Sequence, residues 1–263
     1  MRKALFLLIA IALALGAEAA DFEHRQIGIR SQAMGGALVA GDGGVSSIYT
    51  NPAGLADAKR EFFMTYSDLF GIGFTQSNFA YSGPLWGGGA GFAFEQVTNL
   101  EDLFYQVTTL QFAYGRKSSL LPLDYGFTLR RAALNSDAGT ASALCLDFGV
   151  SGKKGNLKWG LGAFNAFAVA SPVRKVNSAP REVKLGLAWE LPGTLVTGEL
   201  VNAKELNLGI ERRLGQNLAV RAGLKDGAPS FGLGLHSGSW QIDYCFELGS
   251  LGSTNALGLT RQF

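Results

Sequence analysis

The chain has 263 residues and a net charge of +2, and 17% of its residues are charged. An ordinary soluble domain carries about 25% charged residues, so the composition argues against a surface that faces only water. Thirty-six glycines and 18 phenylalanines against seven prolines indicate a β-rich chain. The nearly neutral charge balance excludes a nucleic-acid partner.

Residues 1–19 have the features of a secretory signal peptide. Arg2 and Lys3 form a charged start, residues 4–15 form an apolar stretch, and Ala17-Glu18-Ala19 supplies a small-x-small cleavage pattern. The apolar stretch is too short to span a bilayer as a helix. The sequence therefore predicts export across the inner membrane.

Residues 20–59 form a second region, rich in glycine and without a sustained period of two. No Lys-Ser/Thr follows its glycines, so a phosphate-binding loop is not indicated. The segment is either a loosely ordered extension or a compact hatch (plug) in a barrel lumen, with short helical turns near residues 34–40 and 45–49. The residues assigned to the predicted hatch are Met34, Gly35, Gly36, Asn51, Pro52, Ala53 and Gly54.

Residues 60–263 alternate between apolar and small or polar side chains, as β-strands with two different faces do. In the last segment, Leu257, Leu259 and Phe263 share one face, and Ala256, Gly258 and Thr260 share the other. The predicted strands lie near residues 61–68, 74–82, 88–97, 104–114, 122–132, 140–151, 156–169, 181–191, 194–202, 205–213, 217–225, 229–236, 239–248 and 254–263.

This alternation fits a soluble sandwich as well as a membrane barrel. Two features favour lipid. The polar face consists mostly of glycine, alanine and single charges, which suits a confined lumen, and tight links alternate with longer ones at residues 98–103, 133–139 and 170–180, as in outer-membrane proteins. The prediction is an all-β chain: a 14-stranded antiparallel transmembrane β-barrel with an N-terminal hatch, in the outer membrane of a Gram-negative-type bacterium.

Ten charged side chains fall on the predicted lumen face, with mixed signs that favour pairing over a ring of one charge. They are Glu95, Asp124, Arg130, Asp147, Lys158, Lys184, Glu190, Glu211, Arg221 and Asp243. Cys145 and Cys245 lie on the same face, where a disulfide and two free thiols both remain open.

The glycine-rich stretch at the start of the third strand has two interpretations. Glycines inside a strand weaken its pairing and permit a kink, so Gly87, Gly88, Gly89 and Gly91 are assigned to a lateral opening in the wall. Alternatively, they follow a turn and make room for the hatch.

Catalysis is not expected. The only histidines are His24, near the predicted mature N-terminus, and His236, alone on the lumen face, so a nucleophile, base and orienting group are not indicated. No local motif predicts a metal site or a cofactor.

Both ends of the mature chain resemble one known group. The stretch SQAMGGALVAGDGGVSSIYTNPAGLA and the closing residues, with Asp243-Tyr244-x-Phe246, a Leu-Gly-x-Thr turn and a final aromatic, are similar to the long-chain fatty acid transporter (FadL) superfamily, and within it to the PorV/PorQ-type branch. The resemblance implies a 14-stranded barrel with an N-terminal hatch. The short external loops of this chain argue against an extended external capture site.

Two functions remain open from the sequence. The barrel is a passage for hydrophobic, fatty-acid-like small molecules, gated by movement of the hatch near Asn51-Pro52-Ala53. Alternatively, it transports nothing and binds secreted protein cargo or secretion-system partners at its extracellular rim, as the PorV/PorQ resemblance implies. Outer-membrane lipid is a partner in both cases.

Overall fold

The structure is a computed structural model that describes residue 22 and residues 27–41, 43–99, 104–171 and 179–263. The predicted signal peptide and His24 lie outside these residues. Within the described chain, no helix combines the length and the apolar character needed to cross a membrane.

Fourteen antiparallel strands form a closed barrel in which each strand pairs with its sequence neighbours and β1 pairs with β14. This confirms the predicted 14-stranded antiparallel barrel. The strands are β1 (Glu61–Leu69), β2 (Phe74–Leu85), β3 (Gly88–Asn99), β4 (Tyr105–Lys117), β5 (Asp124–Ser136), β6 (Gly139–Lys154), β7 (Leu157–Ser171), β8 (Glu182–Leu191), β9 (Thr194–Val201), β10 (Glu205–Leu214), β11 (Leu218–Lys225), β12 (Ala228–Ser237), β13 (Trp240–Gly249) and β14 (Gly252–Gln262).

The two faces of the wall differ as the alternation predicts. On β8, Leu185, Leu187 and Trp189 are more than half exposed, whereas the alternate residues Lys184, Gly186 and Ala188 face inward and are buried. Large apolar side chains cover the outside of the other strands in the same way. A closed barrel with an apolar outer surface satisfies its backbone groups internally and meets hydrocarbon outside. The chain is therefore a transmembrane barrel of the outer-membrane type.

The barrel has a tall half and a short half. We call β2 to β7 the tall half, because its strands have 12 to 16 residues, and β8 to β14 with β1 the short half, because these strands have 8 to 11 residues. The end where β1 begins and β14 ends is taken as periplasmic. The tall strands project at the opposite, extracellular end.

The prediction of an external loop at residues 133–139 is wrong. β5 continues to Ser136, β6 starts at Gly139, and a two-residue turn joins them. Side chains still alternate between the two faces in this region, but here the apolar ones face the lumen and the polar ones face outward. The prediction relied on apolar outward positions and therefore ended β5 too early.

Residues 27–41 and 43–60 lie inside the barrel and are called the inner segment. It contains α1 (Ile29–Ala33), a 3₁₀ turn (Gly44–Ser46), α2 (Ser47–Thr50) and a second 3₁₀ turn (Pro52–Asp57). The sequence predicted a helical turn near residues 34–40, but the first helix lies before them. The helix does not continue into these residues because the backbone turns at Gly35 and Gly36, both with positive φ. Tyr49, Leu55 and Met34 are fully buried against the wall.

Candidate functional site: the barrel interior

The inner segment packs directly on inward-facing glycines of the wall. A Cβ atom at Gly223 would collide with the backbone nitrogen of Gly35, and one at Gly115 would collide with the carbonyl oxygen of Pro52. The backbone of the segment thus approaches the backbone of the wall, which only glycine permits. Much of the high glycine content is explained by this contact.

Asn51 is the polar centre of the predicted hatch residues. Its side-chain amide donates to the carbonyl oxygens of Val39 at 2.8 Å and Val150 at 3.2 Å, and its side-chain oxygen accepts from the Ala53 N–H at 3.1 Å. Pro52 follows at the first position of the 3₁₀ turn, where no N–H is needed. Asn51 therefore joins two parts of the inner segment to β6. Met34 and Gly35 contact the opposite wall, at Gly209 and Gly223.

A buried ionic network attaches the inner segment to the short half. Arg30 donates to both carboxylate oxygens of Glu211, at 2.8 and 3.0 Å. Arg221 donates to Glu211 at 2.7 Å and to Asp243 at 2.6 Å. Each carboxylate thus has a charged partner, which is the condition for burying ions at tolerable cost.

A second polar layer crosses the middle of the lumen. Glu95 accepts from Gln76 at 2.7 Å, Lys184 lies 3.4 Å from Glu199, and Glu199 also accepts from the Val39 N–H at 3.0 Å. Tyr49 donates to Asn78 at 2.5 Å. Because Tyr49 is fully buried, its pKa is raised well above the ordinary value, so this donor is neutral. Charged and polar side chains therefore occupy the interior at this depth.

The remaining predicted lumen charges lie near the periplasmic end or beside a bulge. Glu190 contacts Lys153 and Lys158, each at 2.6 Å, and Asp124 begins β5 opposite Lys117. Arg130 and Asp147 form a buried pair at 3.8 Å beside Asn165 on β7. The ten residues therefore belong to several separate groups.

The extracellular end of the tall half has an apolar inner face. Val97, Val107 and Leu134 point inward and are almost fully buried in one cluster, which Phe22 completes. We call this cluster the apolar cup. Its wall residues are Leu69, Val97, Val107, Ala132, Leu134, Ala141, Ala143 and Cys145. Lower down, the same strands carry charges and amides on their inner faces, so the lumen changes from apolar to polar with depth.

The outer face of the same strands changes in the opposite sense. On β4, Phe112 and Leu110 are followed toward the extracellular end by Thr108 and Gln106, all facing outward. On β6, Leu144 is followed by Ser142 and Thr140. We call the lower, apolar part of this face the belt and the upper, polar part the rim. The rim and the apolar cup are the two faces of one projecting wall.

β7 carries an irregularity beside the cup. Three residues around Asn165 have no counterpart on β6, because the register shifts between Leu146 and Phe148, and Asn165 has φ of +51°. The Asp147 carboxylate accepts the Asn165 N–H at 2.6 Å and holds the bulge. Pairing of β7 with β8 ends at Phe164. Beyond it, among the described residues, 167–171 pair with β6 alone.

The glycines assigned to a lateral opening do not interrupt the ladder. β2 and β3 pair continuously from Thr75–Thr98 to Leu85–Gly88, and β3 and β4 pair from Gly89 to Asn99. A Cβ atom at Gly89 would collide with Leu55, and one at Gly91 with Ile48. Gly87 lies in the turn before β3. In this structure the glycines make room for the inner segment, and an opening here stays a prediction.

Of the other predicted features, Cys145 belongs to the wall of the cup, and Cys245 and His236 lie outside it. Cys145 and Cys245 are both free and buried. His236 lines a polar cavity of about 280 Å³ that also touches Arg30, Glu211 and Asp243. Within the described residues, no cluster of three His, Cys, Asp or Glu side chains suits a metal ion.

No protein-family profile matches the chain, and no curated protein sequence matches it. Solved structures do. The CymD monoaromatic hydrocarbon channel is 12% identical over 93% of this chain and 99% of its own, with a TM-score of 0.60. A TodX monoaromatic hydrocarbon channel mutant (deltaS2) is 13% identical over 92% and 100%, with a TM-score of 0.60. A FadL homologue from Pseudomonas aeruginosa is 9% identical over 95% and 99%, with a TM-score of 0.58. The chain has the fold of these proteins.

Sequence reasoning missed the apolar cup and the β7 bulge. The sequence does contain a signal for the cup. Side chains still alternate at residues 105–109 and 132–136, but the apolar ones, Val107 and Leu134, occupy the positions that face the lumen instead of those that face outward. The bulge has no comparable signal, because its cause is the Asp147 carboxylate on the neighbouring strand.

Proposed function

We propose that this barrel lets hydrophobic small molecules cross the outer face of the membrane, with the apolar cup as the site of capture. The observation that carries the proposal is the reversed polarity of the tall half, which places apolar side chains inside and polar ones outside above the belt. A general diffusion pore has a polar lumen at this level. Burial of the Phe22 side chain in the cup to 1% exposure supports it, since the lining accepts an apolar group.

The fold agrees with this proposal, since two of the proteins that share it are monoaromatic hydrocarbon channels. A fatty-acid-like or aromatic hydrocarbon ligand suits the cup because its wall is aliphatic, with Phe70, Phe74 and Tyr105 packed against it. Binding at the rim by secreted proteins, and with it the finer resemblance to the PorV/PorQ branch, stays a prediction.

We propose further that the molecule leaves sideways, between β7 and β8. Below the cup it would meet Glu95 and the Arg130–Asp147 pair, and an apolar molecule gains nothing by displacing partnered charges. Beside the cup, the ladder of β7 with β8 ends at Phe164. Phe167 and Val169, just above, are exposed apolar side chains on the outer face. This route leaves the inner segment in place, so that it acts as a hatch that stays closed.

The cup is tested by changing its polarity without changing its shape. Replacing both Val97 and Val107 by Thr places two hydroxyl groups in the cup, and burying an unpaired hydroxyl group costs about 1 kcal/mol or more. We expect the uptake of a labelled long-chain fatty acid by cells to fall about fivefold for each substitution. Val196→Thr, on the outer face of β9, is the matched control. Equal uptake by all variants, or by cells without the protein, would refute the proposal.

The route is tested with a reversible cross-link. A Cβ atom at Gly41 would lie 3.3 Å from that of Ala188 on β8, near the usual disulfide separation of about 3.5–4.5 Å. Gly41→Cys with Ala188→Cys, in a background with both native cysteines replaced by Ala, therefore attaches the inner segment to the wall. We expect uptake to be equal in the oxidised and reduced protein. Loss of uptake on oxidation would instead indicate gating by movement of the hatch.

A further inference from the structure

The rim of the tall half contains a hollow of about 360 Å³ on its outer side. The small side chain of Ala133 lies between the outward-facing neighbours Thr108 on β4 and Ser142 on β6, and this creates the space. The polar residues around it are Gln106, Thr108, Asn135, Thr140, Ser142 and Ser171. They present hydroxyl and amide groups, and none of the described lining residues is acidic.

Arg131 lies directly beneath the hollow. It is two residues before Ala133 on the same face of β5, a separation of about 7 Å along a strand, and its neighbours across the ladder are Leu110 and Leu144. An arginine at the upper edge of the belt can extend toward the headgroups while its stem stays in lipid. Arg131 does not line the hollow in this structure, but because Ala133 is small, a guanidinium extended toward the headgroups would reach its lower edge.

The surroundings favour an anionic occupant. The nearest acid in sequence, Asp137, lies in the β5–β6 turn, where its carboxylate accepts the Phe104 N–H at 3.0 Å.

The short half has no such rim, since β9 and β11 end at the upper edge of the belt, at Val201 and Lys225. The hollow lies just above the belt, where the headgroups of the outer leaflet lie.

We propose that this hollow binds the phosphorylated sugar headgroup of an outer-leaflet glycolipid. Arg131 pairs with a phosphate group, for which its planar guanidinium is suited, and the hydroxyl and amide side chains of the rim bond the sugar hydroxyl groups. The bound lipid would cover the outer face of β4 to β6 and support the projecting wall. The hollow shares Leu134 and Ala141 with the wall of the cup, but its polar side chains lie on the other face of the same strands.

The test measures binding of bisphosphorylated lipid A and of its dephosphorylated form to the purified full-length mature protein in detergent, by native mass spectrometry. We expect the wild type to prefer the phosphorylated form. Arg131→Gln should weaken binding of that form about tenfold, the loss of one charge-assisted contact, and should leave the dephosphorylated form unaffected. Ala133→Leu, which fills the hollow, should weaken both.

Lys204→Gln, in the β9–β10 turn of the short half, removes the same charge at the extracellular end away from the hollow and should change neither affinity. Both test positions face outward, so each variant is expected to fold, which the heat-dependent gel mobility of the barrel checks. Equal binding by the wild type and the Arg131 and Ala133 variants would overturn the proposal. A lipid-free dimer that Ala133→Leu dissociates would also overturn it, because a second copy of the chain would then fill the hollow.

Discussion

The tall half and the short half have the same alternating pattern but place it in different surroundings. In the short half, outward Leu206, Leu208 and Ile210 meet lipid along almost the whole of β10. In the tall half, outward side chains are apolar only up to Leu110 on β4, and above it the apolar side chains face inward. A strand therefore sorts its side chains into two faces, but the height of each residue relative to the bilayer decides which face is apolar.

The largest effect is expected from removing the element that joins the two halves. Deletion of residues 35–56 removes the backbone that packs on Gly115 in the tall half and Gly223 in the short half. Below the apolar cup, the lumen would then be lined mainly by glycine and by small and polar side chains. We expect leakage of small solutes from liposomes that contain the variant to rise many-fold over the full-length protein. Unchanged leakage would mean that wall side chains alone close the lumen.

The next effect concerns the short half, where paired charges anchor the inner segment. Arg221→Met leaves Asp243 without its arginine and removes one of the partners of Glu211. Removing one member of a buried ion pair costs about 3–5 kcal/mol, and we expect the free energy of unfolding to fall by this amount in urea titrations in lipid. Lys153→Met, at an exposed pair with Glu190, should change it little. Similar losses in both variants would contradict a buried network.

The belt and the rim of the tall half are distinguished by placing one charge in each. Leu129→Arg puts a guanidinium on the lipid face near the middle of the belt, which costs about 2–4 kcal/mol, whereas Gln96→Arg puts it in the rim, where the cost is about 0–1 kcal/mol. Both positions face outward. Unfolding free energies in lipid vesicles measure the difference. Equal costs would show that the polarity change does not mark the membrane boundary.

The smallest expected effect is the difference in stability cost between replacing a glycine that faces the lumen and replacing one that faces outward. Gly223→Ala places a methyl group against the backbone of Gly35, and overpacking of this kind costs about 1–3 kcal/mol. Gly198→Ala faces outward, where the nearest atom is 3.6 Å away, and should be neutral. Limited proteolysis of the inner segment should be faster in the first variant only. Equal rates would mean that the segment does not depend on this contact.

Much of the fold was predictable from particular residues. The predicted strand at 181–191 matches β8, because Leu185, Leu187 and Trp189 alternate cleanly with small or charged residues. The prediction failed at 133–139, where the apolar position is Leu134 and the outward positions are Ala133 and Asn135. At these residues the strand lies above the bilayer, so the rule that places apolar residues on the outer face no longer applies.

The candidate site was less predictable for a physical reason. The ten lumen charges are visible as single residues on one face, but their partners come from strands or segments distant in sequence, such as Arg30 with Glu211. The bulge at Asn165 likewise depends on the Asp147 carboxylate. Contacts of this kind arise only when the barrel closes.

The amino-acid sequence alone determined the number of strands and their two faces, because a period of two is a local property of the chain. The small and polar inner face and the alternating link lengths then predicted a barrel instead of a sandwich. Only the tertiary structure decided that the inner segment fills the lumen, that glycines admit its backbone, and that the tall half rises beyond the belt with its polarity reversed. These features depend on where each residue lies relative to the lipid and to distant strands, and spacing along the chain does not contain that information.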